Sequence, residues 1–410
     1  MRRIAIVGGG HAGLQLGIGL ARHGYAVTLV TDRTAEAVRD GGVLSTQGMQ
    51  HTALEHERAL GLDLWDAEAP HHDYIEFHLS GPGGACEVHW RAGLPRHGNS
   101  VCQRLKIPRW MALFEAAGGA VEIGRADAAA LDRLAAAHDL VVVATGKGEI
   151  GGLFARDAAR SPYSAPQRVL SLTYLAGVVP TEPDQGVRFT AVPQVGEFFL
   201  MPGLTTTGPC EMMVIEGIPG GPFDCWVGLT PEAHLERAKA ILAAYAPWEA
   251  ARCGDARLTD RGATLAGAFT PVVRRPVATL PSGRHVLGIA DVVMLNDPLT
   301  GQGSNNASKF AHHYLQRILA RGAAPFDRAW MEETFETYWA ETARWVAEWS
   351  NFMLRPPTPL VQALLHAAEH RPDIADRFVQ AFDQPKRFFP WLFDPAAAVA
   401  EFGDFGLPPE

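Results

Sequence analysis

The chain opens on a pattern of apolar and glycine-rich segments that predicts a strand–turn–helix–strand unit. Residues 4–7 are a short apolar run with β-branched side chains, as in a buried strand. A glycine cluster at residues 8–13 leads into residues 14–23, where apolar side chains recur at helical spacing. Gly24 predicts the end of that helix, and residues 26–30 predict the second strand.

Two further segments extend this α/β pattern. Residues 105–118 have a helical rhythm ended by two glycines, and they lead into a predicted strand at 120–123. Residues 139–143 are another continuous apolar run, which predicts a buried strand of the parallel type. The Ala144-Thr145-Gly146 segment that follows suits a strand whose tip touches a bound dinucleotide.

The pattern changes in the second half of the chain. Short strand-like runs separated by turn residues over 168–227 predict a β-rich insertion, and residues 233–245 predict a helix. Residues 286–289 predict a strand that returns to the first sheet, and 305–319 predict the helix after it. Aromatic and methionine side chains recur at helical spacing over 330–353. We interpret them as a helix packed on the body of the protein or on a twin subunit.

Composition restricts the class of protein. The 410 residues carry a formal net charge of −9, which argues against a nucleic-acid partner. No apolar stretch approaches the roughly 20 residues of a membrane span. The five cysteines form no Cys-x-x-Cys pair, and the neighbouring histidines at 71–72 and 312–313 point apart. We therefore expect a cytoplasmic globular protein with no metal site and no membrane contact.

The glycine cluster has the form Gly8-x-Gly10-x-x-Gly13, between a predicted strand and a predicted helix. That context is the one a dinucleotide-binding motif requires. Glycines let the backbone turn tightly beside a pyrophosphate, and the helix N terminus supplies unpaired N–H donors. The contact to the adenine ribose stays open, because Thr31 ends the second strand and Asp32 follows it.

A second glycine motif lies about 290 residues downstream of the first. It reads Asp291, then Pro298-x-x-Gly301-Gln302-Gly303-Ser304-Asn305. The pairing of the two motifs resembles the flavoprotein monooxygenases of the hydroxybenzoate hydroxylase fold. Segments at 30–33, 103–104, 144–168 and 297–305 are further similar to the styrene and indole monooxygenases.

The resemblance implies an α/β fold: a Rossmann-type FAD-binding sheet, a β-sheet substrate domain and a C-terminal helical region. It places the first part of the FAD-binding domain at residues 1–165, with a substrate-pocket insertion at about 72–98. The β-rich substrate domain is then 166–282, the return segment of the FAD-binding domain is 283–325, and the helical region is 326–410.

The resemblance also implies the activity. Reduced FAD, supplied by a separate NADH:FAD reductase, would react with O2 to form a C4a-hydroperoxyflavin that epoxidises a small aromatic alkene. Indole is expected first, then styrene, with sulfoxidation of aryl sulfides, in an enzyme that is usually a homodimer. The flavin carries the chemistry, so no side chain is expected to act as an acid or base.

Site residues follow by the same resemblance. The expected FAD contacts are Gly8, Gly10, His11, Ala12, Gly13, Thr31, Asp32, Arg33, Leu44, Arg104, Thr145, Gly146, Asp291, Pro298, Gly301, Gln302, Gly303, Ser304 and Asn305. The expected substrate contacts are Ser45, Gln47, Met49, Ile75, Pro298 and Leu299. Of these, Ser45, Gln47, Met49 and Ile75 resemble the indole branch rather than the styrene branch. Ser45 or Gln47 is expected to accept a hydrogen bond from an indole N–H.

Two alternatives remain open at this stage. A self-reducing NAD(P)H-dependent hydroxylase, or another flavin dehydrogenase, would reduce its own flavin. Single-component hydroxylases of the resembling fold carry an Asp-Gly pair where this chain has Thr145-Gly146, which disfavours that alternative. A catalytically silent flavin-binding or partner-binding protein is the second alternative, and the intact turn at 298–305 argues against it.

Overall fold

The computed structural model describes residues 1–145, 149–181 and 185–408, so the expected FAD contact at Gly146 lies outside the described residues. Two large sheets and their flanking helices form an α/β architecture, as the resemblance implied. The strands are β1 Arg3–Val7, β2 Ala26–Thr31, β3 Gly48–Met49, β4 His71–Ser80, β5 Cys86–Ser100, β6 Ala120–Ile123, β7 Leu140–Val143, β8 Val169–Ala176, β9 Gly186–Val192, β10 Gly196–Thr205, β11 Gly208–Gly217, β12 Arg257–Leu258, β13 Thr264–Ala268, β14 Val272–Val273, β15 Val277–Thr279, β16 His285–Gly288 and β17 Met294–Leu295.

The helices flank these sheets, and the C-terminal part of the chain is helical. They are α1 His11–Arg22, α2 Ala35–Arg39, α3 His51–Ala59, α4 Gln103–Ala116, α5 Ala128–Ala137, α6 Glu149–Gly152, α7 Pro231–Tyr245, α8 Pro247–Cys253, α9 Gly303–Arg321, α10 Arg328–Tyr338, α11 Arg344–Met353, α12 Pro359–Ala367, α13 Pro372–Ala381 and α14 Pro395–Phe402. Among the described residues, no helix is both long and apolar enough to cross a membrane.

The first sheet has six strands in the order β15-β16-β7-β1-β2-β6. Strands β16, β7, β1, β2 and β6 pair in parallel, and β15 joins β16 antiparallel. The predicted strand at 139–143 is confirmed beside β1, and the predicted strand at 286–289 is confirmed beside β7. The glycine motif therefore follows β1, and the segment that leads to the turn near residue 300 leaves the same sheet at β16, although nearly 300 residues separate the two.

Helices α1 and α9 cover one face of this sheet and pack closely on each other. A Cβ added at Gly19 of α1 would lie 2.6 Å from Leu315 Cδ2 of α9, so any larger residue would require the Leu315 side chain to move. The amide of Gln15 donates to the carbonyl of Ser308 at 3.2 Å across the same contact. The N termini of both helices are thereby held at the same end of the sheet.

The second sheet has nine strands, eight of them in the order β12-β8-β11-β10-β9-β4-β5-β3, with β13 also paired to β8. Its pairs are antiparallel except β4 with β9. All ten residues of β10 are buried, because helices α7 and α8 cover one face and the chain around Val43 and Cys102 covers the other. The sheet draws strands from residues 48–100 as well as from the β-rich segment after 168.

The C-terminal helices pack against the β4–β5 hairpin. Trp349 of the aromatic stripe lies in a buried cluster with Trp90 of the hairpin and Phe378 of α13. Earlier in the stripe, Phe335 and Tyr338 pack on Phe310 of α9. The stripe therefore covers the body of the protein, and its helix contains a π turn at Trp339–Ala343.

Candidate functional site

The glycine motif forms a tight turn between β1 and α1. Gly8 has φ +125°, and a Cβ there would lie 2.7 Å from the carbonyl carbon of Ala144 and 2.9 Å from the amide nitrogen of Thr145. A Cβ on Gly13 would overlap the carbonyl oxygen of Gly8. These two glycines let the turn close onto the end of β7, and they place Thr145 beside Gly8.

The N terminus of α1 presents unpaired donors to an open space. Gly10 is the residue before the helix and supplies no side-chain cap, and a Cβ built on Gly10 meets no atom within 4 Å. His11 and Ala12, both buried, begin the first turn. Uncapped N–H groups with free space above them suit the pyrophosphate of a dinucleotide.

The end of β2 lies next to this turn. A Cβ on Gly9 would approach Thr31 Oγ1 to 2.8 Å, so Thr31 contacts the glycine turn. Asp32 and Arg33 follow as a loose ion pair, 3.8 Å apart, with side chains 60% and 47% exposed. Which of these three side chains binds the adenine ribose stays a prediction.

The downstream motif forms a compact turn into α9. Asp297 Oδ1 accepts from the N–H of Leu299 at 3.2 Å, and Pro298–Thr300 make one turn of 3-10 helix. Gly301 follows with φ +64°, and its N–H donates to the carbonyl of Pro298 at 2.7 Å. Gln302 precedes α9 without a side-chain cap, and a Cβ on Gly303 would meet nothing within 4 Å. A second uncapped helix N terminus therefore faces open space.

This turn is hydrogen-bonded to the segment that carries the expected substrate residues. Asn305 Nδ2 donates to the carbonyl of Gly48 at 2.8 Å, and Asn305 Oδ1 accepts from the N–H of Gln50 at 2.6 Å. Ser304 Oγ adds a bond of 3.2 Å to the same Gly48 carbonyl. Asn305, which is completely buried, thus joins two segments that are more than 250 residues apart in the sequence.

Within that segment, the side chains of Ser45, Gln47 and Met49 are fixed by neighbours. Met49 is completely buried, and Leu44 is half-buried beside the segment. Gln47 Nε2 donates to Ser45 Oγ at 2.8 Å, and Gln47 Oε1 lies 3.0 Å from His11 Nδ1. His11 therefore joins the glycine motif directly to the substrate segment, a contact that the sequence did not indicate.

A buried ion pair supports His11 from behind. Lys106 Nζ donates to both carboxylate oxygens of Glu57, at 2.7 and 2.8 Å, and His11 Nε2 lies 3.1 Å from Glu57 Oε1. Glu57 is 0% exposed and Lys106 is 2% exposed. Burial by itself would raise the pKa of Glu57, but Lys106 and His11 hold that pKa below its ordinary value. Glu57 and Lys106 lie far apart in the sequence, and no sequence pattern predicted that they form a pair.

A second unexpected cluster lies beneath the downstream turn. Arg168 Nε donates to Glu197 Oε1 at 2.5 Å, and the carboxyl groups of Glu216 and Asp297 interact beside them. Burial raises the pKa of Glu197 to about 7, although Arg168 opposes the shift. Burial, together with Asp297 and Glu197, raises the pKa of Glu216 well above its ordinary value. Arg168 is hydrogen-bonded to Glu197, and burial raises the pKa of all three carboxyl groups, Glu197, Glu216 and Asp297, above their ordinary values.

Three further expected site residues have different surroundings. Arg104 makes a bidentate ion pair with Asp260, at 2.9 and 2.8 Å. Asp291 is exposed at a 3-10 turn. His71 and Met49 both pair with Asn99, so Ile75 lies four residues, or about 13 Å, further along β4.

Gln302 is placed differently again, because its side-chain amide donates to the carbonyls of Thr300 and Phe382, at 3.2 and 2.9 Å. The amide therefore anchors the turn to the chain just after α13. The backbone of Gln302, directly before α9, is the part of this residue that faces the open helix terminus.

A separate cavity of about 560 Å³ lies on the second sheet, between the 66–71 loop and strands β8 and β11. Its described lining includes Asp66, Glu68, Glu211 and Arg252, and none of the expected FAD or substrate contacts. A wall with several charged side chains is unlike the mostly apolar pocket that an aromatic substrate requires. The cavity is therefore distinct from the junction of the two motifs.

Residues 146–252 match a family model described as "Styrene monooxygenase A putative substrate binding domain". Styrene monooxygenase StyA from Pseudomonas fluorescens is 29% identical over 402 residues, covering 94% of each chain, and StyA from Pseudomonas sp is similar to the same extent.

Similar solved structures confirm the fold. The flavin-dependent brominase Bmp2 has a TM-score of 0.69 at 13% identity and covers 97% of both chains. A flavoprotein/dehydrogenase from Cytophaga hutchinsonii has a TM-score of 0.66 at 14% identity, covering 97% of this chain and 98% of its own. With the site geometry, these findings support an FAD-dependent monooxygenase that is similar to styrene monooxygenase StyA over 94% of its length.

Proposed function

We propose that this enzyme epoxidises small aromatic alkenes, indole foremost and styrene also, and that it oxidises aryl sulfides to sulfoxides. One observation carries the proposal: Asn305 and Ser304 of the downstream turn are hydrogen-bonded to Gly48 in the segment of Ser45, Gln47 and Met49. Met49 follows Gly48 directly, and Pro298 and Leu299 begin the downstream turn, so these three apolar residues are the ones proposed to face the substrate. A mostly apolar wall with a few polar anchors suits an aromatic alkene.

FAD fits the described residues at two points. The uncapped N terminus of α1 with the space above Gly10 suits the pyrophosphate, and the uncapped N terminus of α9 suits the flavin ring. Bound FAD, once reduced, supplies two electrons and activates O2 for transfer of one oxygen atom. The alkene, O2 and FADH2 give the epoxide, water and FAD.

The protein's own residues position the substrate and exclude water. We expect the completely buried Met49 to help exclude bulk water from the site, which would suppress loss of oxygen as hydrogen peroxide. The positive end of α9 would stabilise negative charge on reduced flavin. The chain thus needs to provide no acid or base of its own.

We further propose that FAD arrives already reduced from a separate NADH-dependent flavin reductase. The absence of the Asp-Gly pair that marks self-reducing hydroxylases in the resembling fold supports this, because Thr145 takes the place of the aspartate. The same family resemblance supports a homodimer as the working form, which sedimentation of the purified chain tests.

Product analysis separates these alternatives. The chain is supplied with FAD, O2 and either NADH alone or NADH with an unrelated flavin reductase, and indole and styrene are offered in parallel. We expect indigo and styrene oxide only when the reductase is present. Product formation from NADH alone would show a self-reducing enzyme.

Rapid mixing tests the flavin chemistry directly. Chain loaded anaerobically with chemically reduced FAD is mixed with oxygenated buffer, and absorbance is followed. We expect a long-lived near-ultraviolet band that differs from those of reduced and oxidised FAD and decays faster when indole is added. Immediate reoxidation with stoichiometric hydrogen peroxide, as for free FAD, would contradict the proposal.

A further inference from the structure

We propose that His11 is a positioning residue that determines selectivity, because it holds the Gln47 side-chain oxygen in place as the acceptor for a substrate N–H group. The inference rests on the proposed function in placing the substrate beside Gln47. It adds a role for a residue of the nucleotide turn, which would otherwise be assigned to FAD alone.

The first step is the orientation of the Gln47 amide. Its Oε1 faces His11 Nδ1 at 3.0 Å and its Nε2 faces Ser45 Oγ at 2.8 Å. His11 is itself held between the Glu57 carboxylate, 3.1 Å from Nε2, and the edge of the Trp110 ring system. In the imidazolium form, which carries an N–H on both ring nitrogens, His11 faces the Glu57 carboxylate through Nε2 and donates from Nδ1 to the Gln47 amide oxygen, and this contact selects one of the two amide orientations.

The second step is the number of acceptor sites left for a substrate. A hydroxyl oxygen has two lone pairs, and Ser45 Oγ accepts from both Gln47 Nε2 at 2.8 Å and Gln103 Nε2 at 3.3 Å. The serine is then left with its O–H as a donor. Gln47 Oε1 also has two lone pairs, and among the described hydrogen bonds only His11 occupies one of them. Of the two polar side chains, Gln47 therefore offers the acceptor.

The third step is the backbone strain of the buried Gln47. Gln47 has φ +55°, the left-handed region that non-glycine residues rarely adopt, and it is 5% exposed. The backbone carbonyl of Ser45 is fixed by the Tyr174 hydroxyl at 2.7 Å. A strained, buried glutamine whose amide is held at both ends is a feature expected of a binding site rather than of a loop.

Two variants at one position separate the contacts that His11 makes. In His11→Asn the amide nitrogen can take the place of Nδ1 and reach Gln47, while the contact to Glu57 is lost. In His11→Gln the longer side chain carries its polar group to the position of Nε2 and reaches Glu57, while the contact to Gln47 is lost. Gln47→Met, which removes the acceptor, is the reference for complete loss.

The measurement is equilibrium binding of indole and indene to the FAD-loaded chain by titration calorimetry. The two bicyclic ligands share a ring-fused alkene and differ in N–H against CH2. We expect the unsubstituted chain and His11→Asn to prefer indole by roughly tenfold. His11→Gln and Gln47→Met should bind the two ligands with affinities within about threefold of each other.

The outcomes are distinct for this inference and for the proposed function. Equal indole preference in His11→Asn and His11→Gln, or no indole binding to the unsubstituted chain, would overturn the role of His11. A preference for indole in the unsubstituted chain and His11→Asn, but not in His11→Gln or Gln47→Met, would support His11 as the positioning residue. If the same protein formed no indigo when the reductase is added, epoxidation would be contradicted while the role of His11 would stand.

Discussion

Replacement of Lys106 by methionine should leave the Glu57 carboxylate buried without its cation. Methionine is close to lysine in length and apolar volume, so the perturbation removes charge with little change in packing. Both side chains are almost fully buried, and the two short Lys106–Glu57 hydrogen bonds are lost together. Breaking a buried pair on one side costs about 3–5 kcal/mol, mostly because a charge is left uncompensated.

Over 410 residues this cost corresponds to a fall in Tm of roughly 3–6 °C. The pKa of Glu57 lies below its ordinary value in the folded protein, so its contribution to stability is present above about pH 4.5 and is lost as pH falls through the folded value. In Lys106→Met this contribution should disappear, and the decline of unfolding free energy in that acid range should become shallower.

Urea denaturation with thermal melts provides the assay, and two further variants make it specific. Glu57→Gln combined with Lys106→Met removes both charges and should restore at least half of the lost stability. Arg328→Met breaks the exposed Arg328–Glu332 pair, whose side chains are 56% and 46% exposed, and should cost less than about 1 kcal/mol. If Lys106→Met lowered the free energy of unfolding no more than Arg328→Met, the claim that the buried Lys106–Glu57 pair stabilises the fold would be refuted.

Three further substitutions test other parts of the structure. Gly13→Ala should abolish FAD binding, measured by quenching of flavin fluorescence, because its Cβ would overlap the Gly8 carbonyl; unchanged binding would mean that the turn is built differently. Asn305→Leu removes the bond to Gly48 and should divert at least half of the O2 consumed to hydrogen peroxide, measured as product formed per O2; full coupling would show that this bond does not organise the site. Glu216→Gln should stabilise the fold at pH values above the ordinary carboxyl range in chemical denaturation and change it little in more acidic solution, because burial raises the pKa of Glu216 and the stability that this group loses as pH rises is not lost in the variant; an equal effect at all pH values would contradict a raised pKa of Glu216.

Local patterns were sufficient for the parallel strands of the first sheet, but not for the long hairpin of β4 and β5. Apolar runs at 4–7 and 139–143 predicted buried strands, which the structure confirms as β1 and β7 and pairs in parallel. Such features depend on residues close in sequence, since a turn that needs φ above zero selects glycine directly, as at Gly8 and Gly301. Family resemblance then supplied FAD and monooxygenation, which periodicity alone does not contain.

Contacts between residues distant in the sequence could not be predicted from local patterns. The pairing of β4 with β9, the bond from Asn305 to Gly48, and the contact of His11 with Glu57 each join residues 36 or more positions apart. A lone Glu or His has the same appearance in a sequence whether it is solvated or buried, because its role depends on the partner brought to it by folding. Burial between α1, α3 and α4 makes His11, Glu57 and Lys106 a structural network, and contact with Gln47 connects that network to the site.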